Sequence, residues 1–281
     1  MKSKRRKLKK GPIIILFFII ILLIFGLTRF CTKKENNPPK DDQSETPITP
    51  EVPVEPVIPE KKSPLEMSVE EFTLEGYFEG TVLTEKEASD EYMNEVIFAG
   101  DSMALYYVIN KLIPGKRLWH QVSINPLTAI TTKIYVNHID SGKTFKEVFQ
   151  ERQPKVVIMT LGTNGIATMQ TEYFVEKYKE FLTDLKEVSP NTRLIVQSIP
   201  PVDKKYDDEK KAINNDKINK TNYYIAQMCE ELGLEFLFSA NSMKDENGAC
   251  KKGYCITKDG IHPDVLGNTR LYEYAKSHIG L

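Results

Sequence analysis

Residues 95–103 have the sequence EVIFAGDSM, in which a short apolar run ends in glycine, aspartate and serine. Branched and aromatic side chains in residues 95–99 predict a buried strand. A helix is expected to begin at or just after Ser102, because Asp and Ser are common N-cap residues. A serine at such a turn presents its hydroxyl and its backbone N–H to the same space, which suits a nucleophile that must also stabilise an oxyanion. A plain helix cap is the alternative interpretation.

Short apolar runs and helical periodicities alternate along the rest of the chain. Further strands are predicted at Arg117–Ser123, Lys155–Leu161, Arg193–Ile199 and Leu234–Phe238, and helices at Thr171–Val188, Ala212–Leu232 and Asp264–Ile279. This alternation predicts an α/β fold with a mainly parallel, five-stranded sheet covered by helices on both faces. Functional residues in such folds gather at the carboxyl ends of the strands.

Two more polar motifs follow predicted strands or precede the last helix. In residues 161–165, LGTNG, Asn164 can offer an amide donor at a strand end, although Asn and Gly are also common in turns. In residues 259–263, DGIHP, a carboxylate stands three residues before a histidine. Asp259 can accept the Nδ1 proton of His262 and leave Nε2 free as a base, and a capped turn is the alternative.

Taken together, these motifs resemble those of the SGNH (GDSL-type) serine hydrolase family. Gly100–Ser102 is similar to the first family motif, Gly162–Asn164 to the third and Asp259–His262 to the last. The resemblance extends over roughly residues 95–279. It implies a three-layer α/β/α sandwich and acyl transfer through a serine, histidine and aspartate triad, with no metal and no cofactor.

The resemblance also implies a role for each matching residue. Ser102 is expected to be the nucleophile, His262 the general base and Asp259 its partner. The oxyanion hole is expected to use the Ser102 N–H and the Asn164 side chain. Two residues near the site are assigned structural roles: Asp101 and Gly162.

The second family motif is altered in this chain. The family has a glycine whose N–H helps to bind the oxyanion, and the best pairing puts Pro126 there. Proline has no N–H to donate. Asn125 is the substitute donor if the loop is shifted, and the hole otherwise has two donors.

Four cysteines are too few for a scaffold built on disulfides. Cys250 and Cys255 bracket a four-residue loop just before Asp259, and their spacing suits a disulfide in an exported domain. Zinc ligation by this pair with His262 is the competing interpretation, although tetrahedral zinc usually has more protein ligands.

The charge distribution divides the chain. Of 281 residues, 38 are basic and 39 acidic, and this near-balance argues against a nucleic-acid binder driven by bulk positive charge. Residues 1–10 nevertheless carry seven positive charges, and residues 13–25 are all apolar. We therefore expect a cytoplasmic tip at 1–10 and a single-pass signal anchor at 11–31, with the remainder extracytoplasmic. A cleaved signal peptide and a lipoprotein signal are the alternatives.

Proline dominates the next segment. Residues 32–64 contain eight prolines, five of them at every third position from Pro47 to Pro59, which is typical of a semi-rigid polyproline spacer. Residues 65–281 are then the hydrolase-like domain.

Three functions are compatible with these features. The first is a membrane-anchored serine esterase that removes a short acyl group, such as acetyl, from a carbohydrate or a small ester. The second is an O-acyltransferase acting on cell-wall glycan, since the motifs also resemble the extracytoplasmic domains of peptidoglycan O-acetyltransferases; it would need a separate membrane protein as acyl donor. The third is a catalytically idle carbohydrate-binding domain.

Overall fold

The computed structural model describes residues 61–281. The expected tip and anchor, and most of the proline-rich linker, lie outside these residues. None of the helices within 61–281 combines the length and the apolar character needed to cross a membrane. The strands are β1 (Val96–Gly100), β2 (Leu118–His120), β3 (Lys133–Val136), β4 (Ile139–Thr144), β5 (Val156–Thr160), β6 (Arg193–Gln197) and β7 (Glu235–Leu237). The α-helices are α1 (Asp90–Glu95), α2 (Ser102–Ile109), α3 (Pro126–Ala129), α4 (Phe145–Arg152), α5 (Thr163–Ile166), α6 (Thr171–Val188), α7 (Lys205–Asp208), α8 (Asn215–Leu232) and α9 (Val265–His278).

The strands form one seven-stranded sheet in the order β4-β3-β2-β1-β5-β6-β7. The five strands from β2 to β7 in that order are parallel, and these are the five that the sequence predicts. The expected count of five strands is wrong, because β3 and β4 extend the sheet with antiparallel pairing.

The outer of the two additional strands, β4, has little apolar character. Residues 139–144, IDSGKT, contain one aliphatic side chain and a glycine, and none of these residues is buried. An edge strand in contact with solvent does not need the apolar run that marks a buried strand.

Both faces of the sheet are buried, which gives the three-layer α/β/α sandwich. Along β5, Val157 and Met159 belong to one apolar cluster, and Val156 and Ile158 to the other. This alternation follows from the two-residue period of a strand. Helices α4, α6 and α8 supply the first cluster with Phe149, Phe181 and Ile225, among others. Helices α1, α2 and α9 supply the second cluster with Met93, Tyr107 and Leu271, among others.

The segment before α1, residues 61–89, pairs with the outer edge of β7. Its Val82 forms a parallel bridge with Phe236, and the Leu83 N–H donates to the Phe236 carbonyl over 2.9 Å. Further towards the N-terminus, the Lys61 ammonium donates to the Gly76 carbonyl over 2.7 Å. Lys61 lies four residues before Leu65, where the sequence predicts that the hydrolase-like domain begins.

Candidate active site

The serine lies at the junction of β1 and α2. Gly100 ends β1, and a Cβ at this position would lie 1.9 Å from the Thr160 carbonyl oxygen of β5. Only glycine therefore permits this close approach of the two strands. Asp101 follows as the N-cap of α2, and its carboxylate accepts a 2.9 Å hydrogen bond from the Met103 N–H. Ser102 is the first residue of the helix, at the carboxyl edge of the sheet.

A short loop before α9 brings a histidine and a carboxylate to this serine. The Ser102 Oγ lies 2.9 Å from His262 Nε2, and His262 Nδ1 lies 3.0 Å from Asp259 Oδ2. The three residues expected to act together thus form one continuous hydrogen-bonded chain. The side chains of His262 and Asp259 remain 27% and 37% exposed, so the chain lies open to solvent.

The other carboxylate oxygen of Asp259 holds the loop itself. Asp259 Oδ1 accepts from the Ile261 N–H at 2.8 Å and from the His262 N–H at 3.0 Å. Partial burial alone would raise the pKa of Asp259, but these bonds and the imidazole outweigh it, so the pKa lies below its usual value. Asp259 is accordingly a carboxylate at neutral pH, as a partner for an imidazolium must be.

Neighbouring segments fix the position of the loop through its backbone. The Tyr206 hydroxyl donates to the Asp259 carbonyl over 2.7 Å, and the Asp203 N–H donates to the Gly260 carbonyl over 2.8 Å. On the other side, the Ile256 N–H donates to the His262 carbonyl over 2.8 Å. Sequence reasoning missed Tyr206 and Asp203, because no local spacing links the loop after β6 to residues 259–262.

A disulfide joins Cys250 to Cys255 directly before this loop. Cys255 pairs with Pro263 in an antiparallel bridge, so the disulfide-bonded turn is continuous with the backbone of the His262 loop. The two sulfur atoms are bonded to each other and do not form the zinc site considered above. Within residues 61–281, no group of three or more His, Cys, Asp or Glu side chains is placed to hold a metal ion.

Asn164, in α5, is linked to the serine turn through Asp101. Its Nδ2 donates to Asp101 Oδ2 over 3.2 Å and to the Ile124 carbonyl over 3.1 Å. Both amide hydrogens of Asn164 are therefore engaged with protein acceptors. The backbone N–H of Ser102 has no acceptor among residues 61–281.

Asp101 lies beneath the site and is completely buried. Burial raises the pKa of Asp101 to about 6. Hydrogen bonds from the Met103 and Gly162 backbones, the nearby His262 and the Asn164 amide act in the opposite direction. Gly162 thus contributes through its backbone N–H.

Asn125 and Pro126 begin the short helix α3. Asn125 is the N-cap, and its Oδ1 accepts from the Thr128 N–H over 3.1 Å, while its own N–H donates to Thr128 Oγ1 over 3.0 Å. Pro126 takes the first helical position, where a missing N–H has no cost. The Nδ2 of Asn125 donates to no acceptor among residues 61–281, and the residue packs near Gly165, next to Asn164.

An aromatic side chain that the sequence motifs did not indicate completes the site. Tyr106 stacks on the His262 imidazole, with ring centroids 4.9 Å apart and ring planes at 27°. Tyr106 follows Ser102 by four residues, so a helix beginning at Ser102 places both on one side. This four-residue spacing is the feature of the sequence that could have indicated Tyr106.

Comparison with known proteins identifies the family of the chain. The model of the GDSL-like lipase/acylhydrolase family matches residues 125–270. This chain belongs to that family. The matched range includes Asn164, Asp259 and His262, and Ser102 lies before it. The protein therefore contains an acylhydrolase domain that acts on ester bonds.

Several solved structures are similar to this chain. A candidate acylhydrolase from Bacteroides fragilis is 16% identical with a TM-score of 0.51, over 68% of this chain and 88% of that one. A carbohydrate esterase family 3 protein from Talaromyces cellulolyticus is 15% identical with a TM-score of 0.45, over 64% and 93%. The periplasmic domain of a lipopolysaccharide acetyltransferase from Salmonella ser. Paratyphi A is 19% identical with a TM-score of 0.43, over 64% and 82%. No curated protein matches the chain.

Proposed function

We propose that the protein is an extracytoplasmic serine esterase that removes a short acyl group, acetyl in the first instance, from a carbohydrate or a small ester. The observation that carries the proposal is the hydrogen-bonded chain from Ser102 Oγ through the His262 imidazole to Asp259. In this chain the base contacts the nucleophile through one nitrogen and its carboxylate partner through the other, as serine hydrolysis requires.

Ser102 Oγ attacks the ester carbonyl carbon while His262 Nε2 takes the hydroxyl proton. Asp259 keeps Nδ1 protonated and stabilises the imidazolium. When the tetrahedral intermediate collapses, the bond to the leaving alcohol breaks and His262 returns the proton to that oxygen. Water, activated by the same imidazole, then hydrolyses the acyl-enzyme.

Two unpaired donors support the choice of oxyanion hole. The Ser102 backbone N–H and the Asn125 Nδ2 have no acceptor among residues 61–281. Asn164 joins them by exchanging its bond to the neutral Ile124 carbonyl for the stronger bond to a charged oxygen. In this proposal Asn125 replaces the backbone donor that Pro126 lacks.

The open triad supports a substrate that is part of a larger polymer. Because His262 and Asp259 are partly exposed, an acyl group on a glycan surface can reach Ser102 without entering a deep cavity. The basic tip and the apolar run at residues 13–25 support an anchor in the cell membrane, with a cytoplasmic N-terminus. The proline-rich linker would then hold the domain away from the lipid, where cell-wall glycan lies.

A two-part assay tests the proposed function. The protein is first given aryl esters of increasing acyl length, and we expect the highest kcat/KM with acetate. It is then given acetylated glycan, and we expect release of free acetate that Ser102→Ala abolishes. Acetyl transfer from an aryl ester to glycan, with little free acetate, would instead identify an O-acyltransferase whose donor is supplied by a separate membrane protein. Binding of glycan without any turnover would contradict both the esterase and the O-acyltransferase hypotheses.

A further inference from the structure

Tyr106 covers one face of the His262 imidazole and belongs to the same helix as the nucleophile. The two rings lie 4.9 Å apart at 27°, and Tyr106 stands one helical turn after Ser102 on α2. The helix that carries the serine therefore also supports the base, which comes from a loop 160 residues away in sequence from Ser102.

We propose that Tyr106 is a positioning residue for His262, which sets the tilt of the imidazole and stabilises its protonated form. The inference rests on the proposed function, in which His262 accepts the proton of Ser102. It adds a fourth side chain to the serine, histidine and aspartate that the family motifs define.

The geometry of the imidazole explains why a third restraint is needed. The hydrogen bonds at Nδ1 and Nε2 restrain the imidazole at two atoms, along one line. Rotation of the ring about that line leaves the two nitrogens in place but turns the ring plane, and with it the direction of the Nε2 lone pair that faces Ser102 Oγ. A flat ring packed against one face of the imidazole blocks this rotation.

The same contact stabilises the charge that forms during the reaction. When the Ser102 O–H bond breaks and the Nε2–H bond forms, His262 becomes a cation over the face of the Tyr106 ring. Aromatic rings attract cations within about 6 Å of the ring centroid. Burial and the nearby Asp259 raise the pKa of Tyr106, so its phenol stays neutral at working pH.

Two carboxyl groups act on His262 and must stay constant in any test. Asp259 contacts it from its own loop, and Asp101 acts on it from the N-cap of α2. Tyr206 contacts the backbone of Asp259 and not the imidazole. Variants at Tyr106 leave all three unchanged.

Tyr106→Phe and Tyr106→Leu form a matched pair. Phenylalanine keeps the ring, and leucine keeps an apolar side chain without it. We expect Tyr106→Phe to keep kcat within about twofold of the unmodified protein. We expect Tyr106→Leu to lower kcat about three- to tenfold with KM nearly unchanged. The acid limb of its kcat/KM profile should move about half a pH unit lower, because the imidazolium loses its aromatic support.

A second readout does not depend on turnover. In the inactive Ser102→Ala background, the imidazole C–H resonances of His262, assigned by their loss in His262→Gln, are followed through a pH titration. We expect Tyr106→Leu to move the titration midpoint of these resonances about half a pH unit lower, and Tyr106→Phe to leave it in place.

Three results would overturn the inference. The first is equal behaviour of the Leu and Phe variants in both readouts. The second is a rise in KM with unchanged kcat and pH profile, which would make Tyr106 a substrate contact. The third is an unshifted midpoint in the resonance titration. If the unmodified protein turns over no ester, the proposed function fails, and the titration still decides the role of Tyr106.

Discussion

Asp101 and Ser102 are adjacent in the chain but occupy opposite environments. Asp101 is completely buried and forms the base of the site, whereas Ser102 is partly exposed at the start of α2. A buried carboxyl holds its proton more tightly than one in water, and burial raises the pKa of Asp101 from 3.8 to about 6. We therefore expect Asp101 to make the free energy of unfolding depend on pH.

The first prediction concerns this carboxyl. Because the folded protein binds the Asp101 proton more tightly than the unfolded chain, Asp101 makes the free energy of unfolding fall as pH rises from about 4 to about 6. The difference between the two pKa values corresponds to about 3 kcal/mol. Urea titrations at several pH values check this, with Asp101→Asn as the comparison. In the Asn variant the free energy of unfolding should not fall in this way between about pH 4 and about pH 6. If the free energies of the two proteins changed in parallel with pH, Asp101 would not be the cause of the dependence.

A second residue-scale prediction isolates the amide of Asn125. Serine is also a good N-cap, so Asn125→Ser keeps the cap of α3 and removes only the Nδ2 donor. We expect kcat to fall about 10-fold or more, towards the 10²–10³ typical of a lost oxyanion donor. The free energy of unfolding should change by less than about 0.5 kcal/mol. Unchanged kcat in a stable Asn125→Ser protein would remove Asn125 from the oxyanion hole.

At the scale of elements, the loop at residues 256–263 determines the site. Its turn requires Gly260, which has φ of +72°, and a Cβ there would lie 2.7 Å from the Asp203 Cβ. The tight turn lets the backbone N–H groups of Ile261 and His262 reach the Asp259 carboxylate.

Replacement of that glycine gives the third prediction. Gly260→Ala should lower kcat/KM more than about 10-fold, because the loop must move away from Asp203 and carries His262 with it. Gly233→Ala is the matched control: its φ is also positive, at +61°, but a Cβ there meets nothing within 4 Å. Thermal unfolding of both variants measures the effect of backbone strain on stability, and steady-state kinetics measures whether the His262 loop is displaced. Equal kinetics for the two variants would show that the turn does not position the triad.

At the scale of the whole molecule, the segment before α1 is part of the core. Leu74 is completely buried in the cluster under α6 and α8, although it lies outside every strand and α-helix. The edge strand β7 is also covered by this segment through Val82.

The fourth prediction tests that packing. Leu74→Ala should lower the free energy of unfolding by about 2–5 kcal/mol, as for other large-to-small substitutions in a core. Leu266→Ala, at a leucine that is 62% exposed, should change it by about 0.5 kcal/mol or less. Denaturant unfolding of the two variants is the measurement. Similar small losses would mean that the segment packs only weakly on the domain.

Local pattern was enough to predict the parallel strands and the longest helices. The bounds of α6 agree with the predicted Thr171–Val188, because its apolar residues recur at intervals of three and four residues, as on one face of a helix. Ser102, Asn164, Asp259 and His262 were found from motifs because each stands where a strand or turn ends, and the fold brings them together. Strand β4 was missed because an exposed edge strand has no apolar signature. Strand β3 is a short run of only four residues, in which the buried Ile134 and Val136 alternate with exposed residues. Tyr206 was missed because its contact with the Asp259 loop depends on tertiary structure alone.

The most direct test of the central claim, that Ser102 is the nucleophile, is covalent labelling with a fluorophosphonate. The probe requires a serine activated by a base, as in the chain from Ser102 to His262 and Asp259. Peptide mass spectrometry of the labelled protein should find one adduct per chain, on Ser102. Ser102→Ala should take up no label, and His262→Ala should label far more slowly. A correctly folded protein that stays unlabelled, or carries its label on another residue, would contradict the account.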